Sequence, residues 1–348
     1  MKKNRIGIIG HFGGDKNFYD GQTIKTKTLY EELIKTGRFE LITADTYYIK
    51  TLPIKLLWQT LMCLCKCENI IILLSGRGMS VYFPLLYYWG KVFEVNVFHD
   101  IIGGSLAKFI DQKPRWKKYI NSFKVNWAET TGLVESLKER GVSNAELLYN
   151  FKSLKPLSKE EIIQSYSEPY PICTFSRVMK EKGIEDAVEA VKAVNEKNGR
   201  IVFTLDIYGQ VDAEQIDWFE ELKEKFPYYV KYRGSVPYDK SVETLKGYFA
   251  LIFPTKYYTE GVPGTIIDAY AAGLPVIASY WENFDNIVDE KTGVSYQFNN
   301  VEDFVRVLTE IAEKPEIIIE KKRNCIERAA DFTPETVLKQ IISKITEE

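Results

Sequence analysis

The chain has 348 residues, of which 45% are hydrophobic and 27% charged, and its net charge is −2, so the composition is that of a globular protein with enough apolar residues for two domains. No apolar run reaches the roughly 18 to 20 residues that a membrane span needs, which excludes a transmembrane protein. The nearly balanced charge also gives no reason to expect a nucleic-acid partner.

The charges are unevenly distributed along the chain. Residues 1–155 contain 23 Lys and Arg against 14 Asp and Glu, a balance of +9, whereas residues 156–348 contain 23 against 34, a balance of −11. A basic first half favours an anionic partner or an anionic membrane surface. The five cysteines, an odd number without a recognisable signal peptide, predict a reducing cytoplasm. Three of them form a Cys-x-Cys-x-Cys run with no His nearby, so we expect buried thiols there and no metal site.

The first half begins with strands and helices in alternation. The predicted strands are Arg5–Gly10, Phe39–Ala44, Asn69–Leu74, Val92–Phe98, Val125–Ala128 and Glu146–Tyr149. The predicted helices are Gln22–Thr36, Ser80–Trp89 and Thr131–Arg140. Such alternation predicts a parallel sheet, whose ligands bind at the carboxyl ends of the strands.

Two segments of the first half fall at predicted strand ends. After the first strand, Gly13, Gly14 and Gly21 allow a ligand to approach the backbone closely, although the Rossmann Gly-x-Gly-x-x-Gly pattern is absent. After another strand come His99 and Asp100. Taken alone, His99 is more often a buried or surface histidine than a functional one, and Asp100 is either a base or a helix cap. The strand-end rule places the glycine loop, His99 and Asp100 at the same rim of the sheet, so His99 and Asp100 are candidates for a ligand-binding site.

A polar, proline-containing segment, residues 150–171, predicts the linker between two domains. The alternation then resumes with strands at Ile172–Phe175, Phe203–Tyr208, Tyr229–Arg233, Ala250–Pro254 and Leu274–Ala278. Helices are predicted at Ile184–Asn195, Asp212–Phe226, Ser241–Lys246, Thr265–Ala272, Val301–Lys314, Ile317–Ala330 and Pro334–Ile345. Two successive α/β domains of similar size predict a cleft between them.

The second half holds the richest cluster of candidate residues, Lys256–Ser279. Glu260 precedes a Gly/Pro turn and Asp268 follows on the first turns of a helix. The N–H groups of Gly264 and Thr265 at that helix start form an anion site. An anion site between two carboxylates suits a nucleotide sugar, which has a diphosphate, a ribose and a sugar ring. Asp268 alone is equally well explained as a charge favoured by the helix dipole.

A second charged loop follows the first strand of the second half. Arg177 lies at the strand end and Lys182 five residues later, so both can meet a diphosphate. The alternative is an ordinary solvated loop. Because this loop and the Glu260 segment both fall at strand ends of one sheet, we prefer the binding site.

These segments match a known pattern in order. FSRVMKEKGIEDAVEA resembles the GRL-x-x-EKG segment of family 4 glycosyltransferases of the GT-B fold, YRGSVP resembles their F-x-G-x-V strand, and EGVPGTIIDAYAAGLPVIAS resembles their E-x7-E motif. DGQTIKTKTLYEELI looks like the glycine-to-helix segment after their first strand. The resemblance covers the second domain throughout and the first domain loosely. It implies two Rossmann-like parallel-sheet domains facing a central cleft, with boundaries at residues 1–160 and 161–330, and a C-terminal helix, 331–348, that packs back toward the first domain.

The resemblance also implies roles for the residues that match. Arg177 and Lys182, assisted by the backbone of Gly264 and Thr265, would bind the donor's diphosphate, and Glu260 would hold the sugar near its reacting carbon.

By the same resemblance, Asp268 would bind the ribose, although the family usually has the longer Glu at this position. His99 would contact an outer hydroxyl of the donor sugar, and Gly13, Gly14, Gly21 and Asp100 would belong to a donor or acceptor loop.

The implied activity is a retaining, metal-independent transfer of a sugar, with a uridine diphosphate sugar as the expected donor and no cofactor. The expected acceptor is a glycan or a lipid-linked oligosaccharide of bacterial surface polysaccharide. A nucleotide-sugar epimerase of the same fold and a module that only binds nucleotide sugar or polysaccharide are the alternatives. A phosphorylase is not favoured, because no cofactor lysine stands out.

Two segments suggest a peripheral contact with an anionic membrane, at the cytoplasmic face. Lys113–Lys124 interleaves five basic residues with three aromatic ones, which suits lipid headgroups and their interface. Lys50–Lys66 is a second segment of the same kind. The alternative for Lys113–Lys124 is a solvated helix whose aromatic face packs into the protein.

Overall fold

A computed structural model describes residues 4–16 and 20–346. Residues 1–3, residues 17–19 of the predicted glycine loop and residues 347–348 of the predicted C-terminal segment lie outside the described residues. Internal contacts divide the chain into two compact units. Unit 1 comprises the described residues up to Ser153 and those from Phe332 onward, and unit 2 comprises Leu154–Asp331.

Within the described residues, the strands are, in chain order, β1 (Asn4–Gly10), β2 (Phe39–Asp45), β3 (Asn69–Leu73), β4 (Asn96–Asp100), β5 (Val125–Ala128), β6 (Ala145–Leu147), β7 (Tyr170–Phe175), β8 (Phe203–Tyr208), β9 (Val230–Gly234), β10 (Ala250–Phe253), β11 (Val276–Ser279) and β12 (Gly293–Tyr296). The helices are α1 (Gly21–Lys35), α2 (Pro53–Lys66), α3 (Gly76–Phe93), α4 (Leu106–Gln112), α5 (Arg115–Ile120), α6 (Thr131–Glu139), α7 (Ile184–Asn198), α8 (Ile216–Lys223), α9 (Ser241–Leu245), α10 (Gly264–Ala271), α11 (Phe284–Ile287), α12 (Val301–Glu313), α13 (Glu316–Ile319), α14 (Lys322–Ala329) and α15 (Pro334–Thr346).

Unit 1 is built on a parallel sheet with strand order β2-β1-β3-β4-β5-β6. Its strands are apolar on both faces, because helices cover both. On β3, Ile70 and Ile72 belong to the core formed with α2 and α3, while Ile71 and Leu73 belong to the core formed with α1 and α15. The strand's period of two therefore divides one apolar run between two cores.

Unit 2 repeats this architecture with strand order β12-β11-β10-β7-β8-β9, again parallel throughout. Its core joins the apolar faces of α7 and α12 to the central strands. The fold class predicted from the sequence, two α/β units with parallel sheets, is confirmed. Between β6 and β7 the chain has no regular helix or strand, as the polar, proline-containing composition of that segment predicts.

One predicted strand is wrong in its position. Val92 and Phe93, expected to begin a strand, instead end α3. Glu94 then adopts a left-handed conformation, with φ of 54°, and its N–H donates to the carbonyl of Gly90. β4 therefore begins only at Asn96 and runs through His99 to Asp100.

The predicted membrane segment Lys113–Lys124 also needs correction. Trp116 and Phe123 are buried in the core of unit 1, where both pack against Phe83. Rings that complete the core cannot also lie at a lipid interface. The alternative stated above, a solvated helix with a packed aromatic face, describes this segment. Among the described residues, no helix is long and apolar enough to cross a membrane.

Candidate active site

The topology of unit 2 places its candidate residues at one edge of the sheet. β7 and β10 are neighbours, and the strand order reverses direction between them. Ligands of open α/β sheets bind outside the carboxyl ends of the strands at such a switch point. The loops that leave these two strands carry Arg177, Lys182 and Glu260.

The side chains of Lys182 and Glu260 form an ion pair at this edge. Nζ of Lys182 lies 2.6 Å from Oε2 of Glu260, and the two side chains are only 16% and 19% exposed. Thr255 Oγ1 donates to the same carboxylate oxygen over 3.1 Å. The amide of Asn283 holds the Glu260 carbonyl at 2.8 Å. The Glu260 side chain is thus positioned through one oxygen, and its other oxygen, Oε1, has no hydrogen-bond partner within the described part of the chain.

Gly183 explains how the two loops come so close. Its φ is +68°, and a Cβ atom at this position would lie 1.9 Å from the carbonyl oxygen of Pro254. Only glycine permits this approach. A backbone hydrogen bond of 2.8 Å from Lys256 N to Glu181 O fixes the same contact. The short sequence Lys182-Gly183 therefore supplies both the cation and the turn that brings it to the carboxylate.

Arg177 lies on the same edge but is more exposed. Its side chain is 49% exposed, and its Nη1 lies 3.4 Å from Oδ2 of Asp212. Gly209 allows the loops after β7 and β8 to meet, since a Cβ there would lie 1.7 Å from the carbonyl of Ser176. The structure therefore places Arg177 near a carboxylate other than Glu260.

Helix α10 begins at Gly264, shortly after Glu260 in the chain. Ile266 N donates to Pro263 O, whereas the N–H groups of Gly264 and Thr265 have no partner among the described residues. Oγ1 of Thr265 is also buried without a partner within the part of the chain that is described. Three donors without protein acceptors make this turn suitable for an anion.

Asp268 is less accessible than the sequence suggests. Its side chain is buried, and Oδ1 accepts a hydrogen bond of 2.8 Å from Ser241 Oγ on α9. Since it is a shorter residue than Glu, its carboxylate remains close to its own helix. A ribose ligand at this position has to reach a carboxylate that already accepts from Ser241.

In unit 1, the carboxylate of Asp45 holds the glycine loop after β1, and the sequence did not predict this role. Asp45, the last residue of β2, accepts hydrogen bonds from Phe12 N over 2.8 Å and Gly14 N over 2.7 Å. Gly13 and Gly14 have φ of 87° and 57°, which explains both glycines. At Gly21 no atom lies within 4 Å of an added Cβ, so close packing does not require glycine there.

The prediction that His99 contacts the donor sugar is not supported by its surroundings. The ring is fully buried inside unit 1, with Nδ1 3.0 Å from Asn126 Oδ1 and the rings of Phe83 and Phe123 packed edge-on against it. Burial lowers the pKa of His99 to about 4. His99 is therefore a neutral core histidine in this structure.

Asp100, predicted to lie in a donor or acceptor loop, is instead the buried end of β4. Its Oδ1 lies 2.6 Å from Nζ of Lys25, which also lies 2.8 Å from Oε1 of Glu129. Burial raises the pKa of Asp100 to about 6, against the attraction of Lys25. Burial disfavours the charged form of Lys25, but the two carboxylates outweigh it and raise its pKa. One cation shared by two carboxylates ties α1 to the ends of β4 and β5.

Sequence reading found Lys182 and Glu260 but missed the side chains that orient them. Thr255 follows the predicted strand Ala250–Pro254 directly, so its place at the strand end was a usable signal. Asn283, which holds the Glu260 carbonyl, and Ser241, which holds Asp268, gave no such signal, because each lies more than 20 residues along the chain from the residue it contacts. Among the described residues, no group of three or more His, Cys, Asp or Glu side chains is arranged to hold a metal ion.

Similar proteins support a common family for this arrangement. The sequence profile described as glycosyl transferases group 1 matches residues 158–332, which is half of the chain and nearly all of unit 2. The alpha-monoglucosyldiacylglycerol synthase of Acholeplasma laidlawii is 29% identical over 176 residues, which are 49% of this chain and 41% of that protein. The match therefore spans less than half the length of this curated relative.

Solved structures resemble the whole chain at low identity. HepE of Anabaena, solved in complex with UDP-glucose, is 14% identical with a TM-score of 0.72, covering 99% of this chain and 100% of that one. Sucrose-phosphate synthase of Thermosynechococcus elongatus is 17% identical with a TM-score of 0.75, covering 99% and 98%. These likenesses show the fold, which is GT-B. The profile match shows the family, and the chain belongs to the glycosyl transferases group 1 family.

Proposed function

We propose that the protein is a retaining glycosyltransferase that moves a sugar from a uridine diphosphate sugar to a glycan or a lipid-linked acceptor. The Lys182–Glu260 ion pair at the switch point of unit 2 is the observation that carries this proposal. It joins a cation, which suits a diphosphate, to a carboxylate, which suits sugar hydroxyls. The N–H groups of Gly264 and Thr265, which are hydrogen-bond donors, lie at the N-terminus of α10.

Each of these residues has a role in the proposed reaction. A diphosphate offers Lys182 a second anion, so that Lys182 is shared between the donor and Glu260. Arg177, which is half exposed, adds a second cation, and the backbone of Gly264 and Thr265 adds neutral donors. Glu260 accepts hydrogen bonds from the sugar through its available oxygen. We propose that Asp268 binds the ribose while its carboxylate keeps the hydrogen bond from Ser241.

The proposed step breaks the bond between the sugar's anomeric carbon and the diphosphate oxygen, and forms a bond from that carbon to the acceptor oxygen on the same face. The acceptor's proton passes to the departing phosphate oxygen. Lys182 and the α10 N-terminus stabilise the negative charge that develops on the diphosphate, which is the largest electrostatic demand of the step. Because Lys182 and the N–H groups of α10 can stabilise this charge, we propose that no metal is needed.

The names of related proteins guide the choice of substrates. HepE was solved with UDP-glucose, and the Acholeplasma relative is named for a glucosylated diacylglycerol. We propose a uridine diphosphate hexose as donor, and a lipid-linked or glycan acceptor of bacterial surface polysaccharide or capsule synthesis. Five free cysteines, three of them within Cys63–Cys67, support a cytoplasmic site for the reaction. His99 is left out of the proposed site because it is buried.

The test compares Glu260→Gln with Glu282→Gln, a matched control at an exposed glutamate of a neighbouring loop. Thermal unfolding is first measured with uridine, guanosine and adenosine diphosphate glucose, and a shift with the uridine compound alone is expected. Release of UDP is then measured with and without a lipid extract as acceptor. Glu260→Gln is expected to lower acceptor-dependent release by roughly 10²- to 10³-fold, with modest loss of nucleotide binding. Glu282→Gln should behave like the wild type.

Three results would contradict the proposal. A thermal shift without any turnover would indicate a module that only binds the nucleotide sugar. Conversion of the donor's sugar to its epimer without an acceptor would indicate an epimerase. Equal activity of the two variants would remove Glu260 from the reacting centre.

A further inference from the structure

We infer that unit 1 docks on an anionic lipid surface through the outer side of α2. Five large apolar side chains of this region are between 42% and 83% exposed, and together they form what we call the α2 face: Leu52, Ile54, Leu57, Trp58 and Leu61. The four of them that lie within the helix follow the spacing i, i+3, i+4 and i+7, which places them along one stripe. A contiguous apolar stripe of this kind on a monomer marks an interaction site.

The α2 face is not needed to fold the protein. The opposite side of the same helix carries Leu56, Thr60, Cys63 and Leu64, which are buried against the unit 1 sheet. That inward side accounts for the packing of the helix. The helix is therefore apolar on two sides, and its outer side has no role within the described chain.

The charges around the α2 face indicate an anionic partner. Lys50, Lys55 and Lys66 flank it, and residues 46–67 contain no Asp or Glu. Nζ of Lys55 lies 3.9 Å from the centre of the Tyr48 ring, which keeps this cation beside the helix. A helix with a wide apolar stripe and flanking lysines lies in the plane of an anionic membrane, with its stripe among the acyl chains and its lysines at the headgroups.

The neighbouring helix also carries exposed apolar side chains. α3 is joined to α2 by a hydrogen bond of 2.8 Å between Thr60 Oγ1 and Tyr82 Oη. Its own exposed apolar side chains are Val81, Tyr88, Val92 and Phe93. The proposal does not rest on these residues.

Charge also argues against a second copy of the chain as the occupant. Two α2 faces packed against each other would bring six lysines together without a carboxylate between them from residues 46–67. Anionic headgroups neutralise the same lysines and release counterions. The lipid surface is therefore the partner that both the apolar stripe and the charges fit.

This inference goes beyond the proposed transfer reaction and is tested without it. The protein is mixed with vesicles of phosphatidylcholine alone, or of phosphatidylcholine with about 30% phosphatidylglycerol, and the bound fraction is measured by flotation with no nucleotide sugar present. We expect at least about tenfold more binding to the anionic vesicles, falling as salt is raised. Failure of catalysis would leave this result untouched, and failure of docking would leave transfer to a soluble acceptor untouched.

Three variants identify the surface. Leu57→Glu with Trp58→Glu should abolish flotation, because charge replaces the centre of the stripe. The matched control places the same two charges at exposed apolar side chains of unit 2, Ile216→Glu with Tyr228→Glu, and should float like the wild type. Lys50, Lys55 and Lys66 changed together to Gln should weaken binding to anionic vesicles by roughly tenfold or more while leaving any binding to neutral vesicles unchanged.

Tryptophan fluorescence tests independently whether the α2 face enters the lipid. Trp58 is exposed, whereas Trp116, Trp127 and Trp281 are buried. Anionic vesicles should shift the emission of the wild type to shorter wavelength, and Trp58→Phe should lose most of this shift while still floating. A full shift in Trp58→Phe would mean that the α2 face does not enter the lipid.

Other outcomes would overturn the inference. Absence of flotation with either vesicle would do so directly. Flotation abolished by Lys117→Glu with Lys118→Glu but not by the α2 variant would assign docking to Lys113–Lys124. Concentration-dependent dimerisation without vesicles, lost in the α2 variant, would assign the face to a second copy.

Discussion

Two lysines in this protein pair with carboxylates in opposite ways. In unit 2, Lys182 lies 2.6 Å from Glu260 at the sheet edge, and both side chains keep some contact with solvent. In unit 1, Lys25 lies 2.6 Å from Asp100 and 2.8 Å from Glu129, and the Lys25–Asp100 pair is sealed from solvent. The distances are nearly the same, but the accessibility differs.

This difference in accessibility is the reason why we propose Lys182 and Glu260 for the donor site and a structural role for Lys25. A half-buried ion pair can exchange part of its bonding for a ligand, because the ligand can reach it and water can replace what is lost. A fully buried pair cannot be opened without leaving a charge unpaired, which is costly. Ion-pair distance alone therefore does not distinguish a candidate site from a structural contact, whereas accessibility at a strand end supports the proposal of a site.

The largest expected effect comes from breaking the buried pair. Lys25→Met leaves Asp100 and Glu129 without their shared cation, so we expect a loss of roughly 3–5 kcal/mol in the free energy of unfolding of unit 1. Urea denaturation measures it. Lys192→Met, which removes one partner of an exposed i,i+4 pair on α7, is the control and should change little. Equal losses in the two variants would contradict the distinction between buried and exposed pairs.

The second prediction concerns pH and the buried His99. Its pKa falls from 6.5 when unfolded to about 4 when folded, because burial disfavours the cation. The folded state therefore binds fewer protons, and the stability contributed by neutral His99 is present above pH 6.5 and lost as the pH falls toward 4. The loss amounts to about 3 kcal/mol.

Asp100 acts in the opposite direction within nearly the same window. Because its folded pKa is raised to about 6, its contribution is greatest at low pH and is lost as the pH rises through 6. The two effects are separated by comparing variants. Between pH 4 and 6.5, the unfolding midpoint of His99→Gln should rise less with pH, or fall more, than that of the wild type, because only the opposing contribution of Asp100 remains. The same slope in this variant and the wild type would show that His99 is not buried as a neutral ring.

The third prediction tests whether the accessible Lys182–Glu260 pair depends on the close approach of its two loops. Gly183→Ala puts a Cβ where the Pro254 carbonyl lies and also imposes a left-handed strain of roughly 1–2 kcal/mol. The loops have to separate, so we expect transfer and donor binding to fall at least roughly tenfold. Gly199→Ala has the same strain, at φ of +62°, but no atom within 4 Å of the added Cβ. It should lose stability and keep transfer, as measured by UDP release.

The smallest expected effect is that of Arg177→Ala. Because the guanidinium is half exposed and solvent screens it, its removal should weaken binding of a uridine diphosphate sugar by roughly tenfold or less. Lys182→Ala should cost more, since Lys182 is less exposed. Calorimetric dissociation constants compare the two. A larger loss for Arg177→Ala would reverse the proposed order of the two cations.

Much of the fold was predictable because the strands are short apolar runs bounded by Gly, Pro or polar residues. β1 and β8 were predicted within one residue of their bounds. β4 was not, because nothing in the run Val92–Phe98 reveals that Glu94 takes a left-handed turn. Local composition marks an apolar segment well but does not locate a change from helix to strand inside it.

The site was only partly predictable for a related reason. Lys182 and Glu260 were both identified, but they are 78 residues apart, and their mutual hydrogen bond depends on the order of strands. The sequence did not reveal that the His99 ring lies inside unit 1, because helices cover both faces of its parallel strand. In such a strand, alternation does not distinguish an exposed face from a buried one, and the strand-end rule could not show that His99 is one residue too early.

The return of α15 to unit 1 has a consequence for how the protein is made. Val337, Leu338, Ile341 and Ile345 complete the core beside α1, yet they are synthesised after the 178 residues of Leu154–Asp331. At ordinary translation speeds, the part of this core that α15 covers stays exposed for roughly 10 to 40 s on the ribosome. During that interval the nascent chain exposes an apolar surface of the kind that chaperones bind, while unit 2 already has its full sequence.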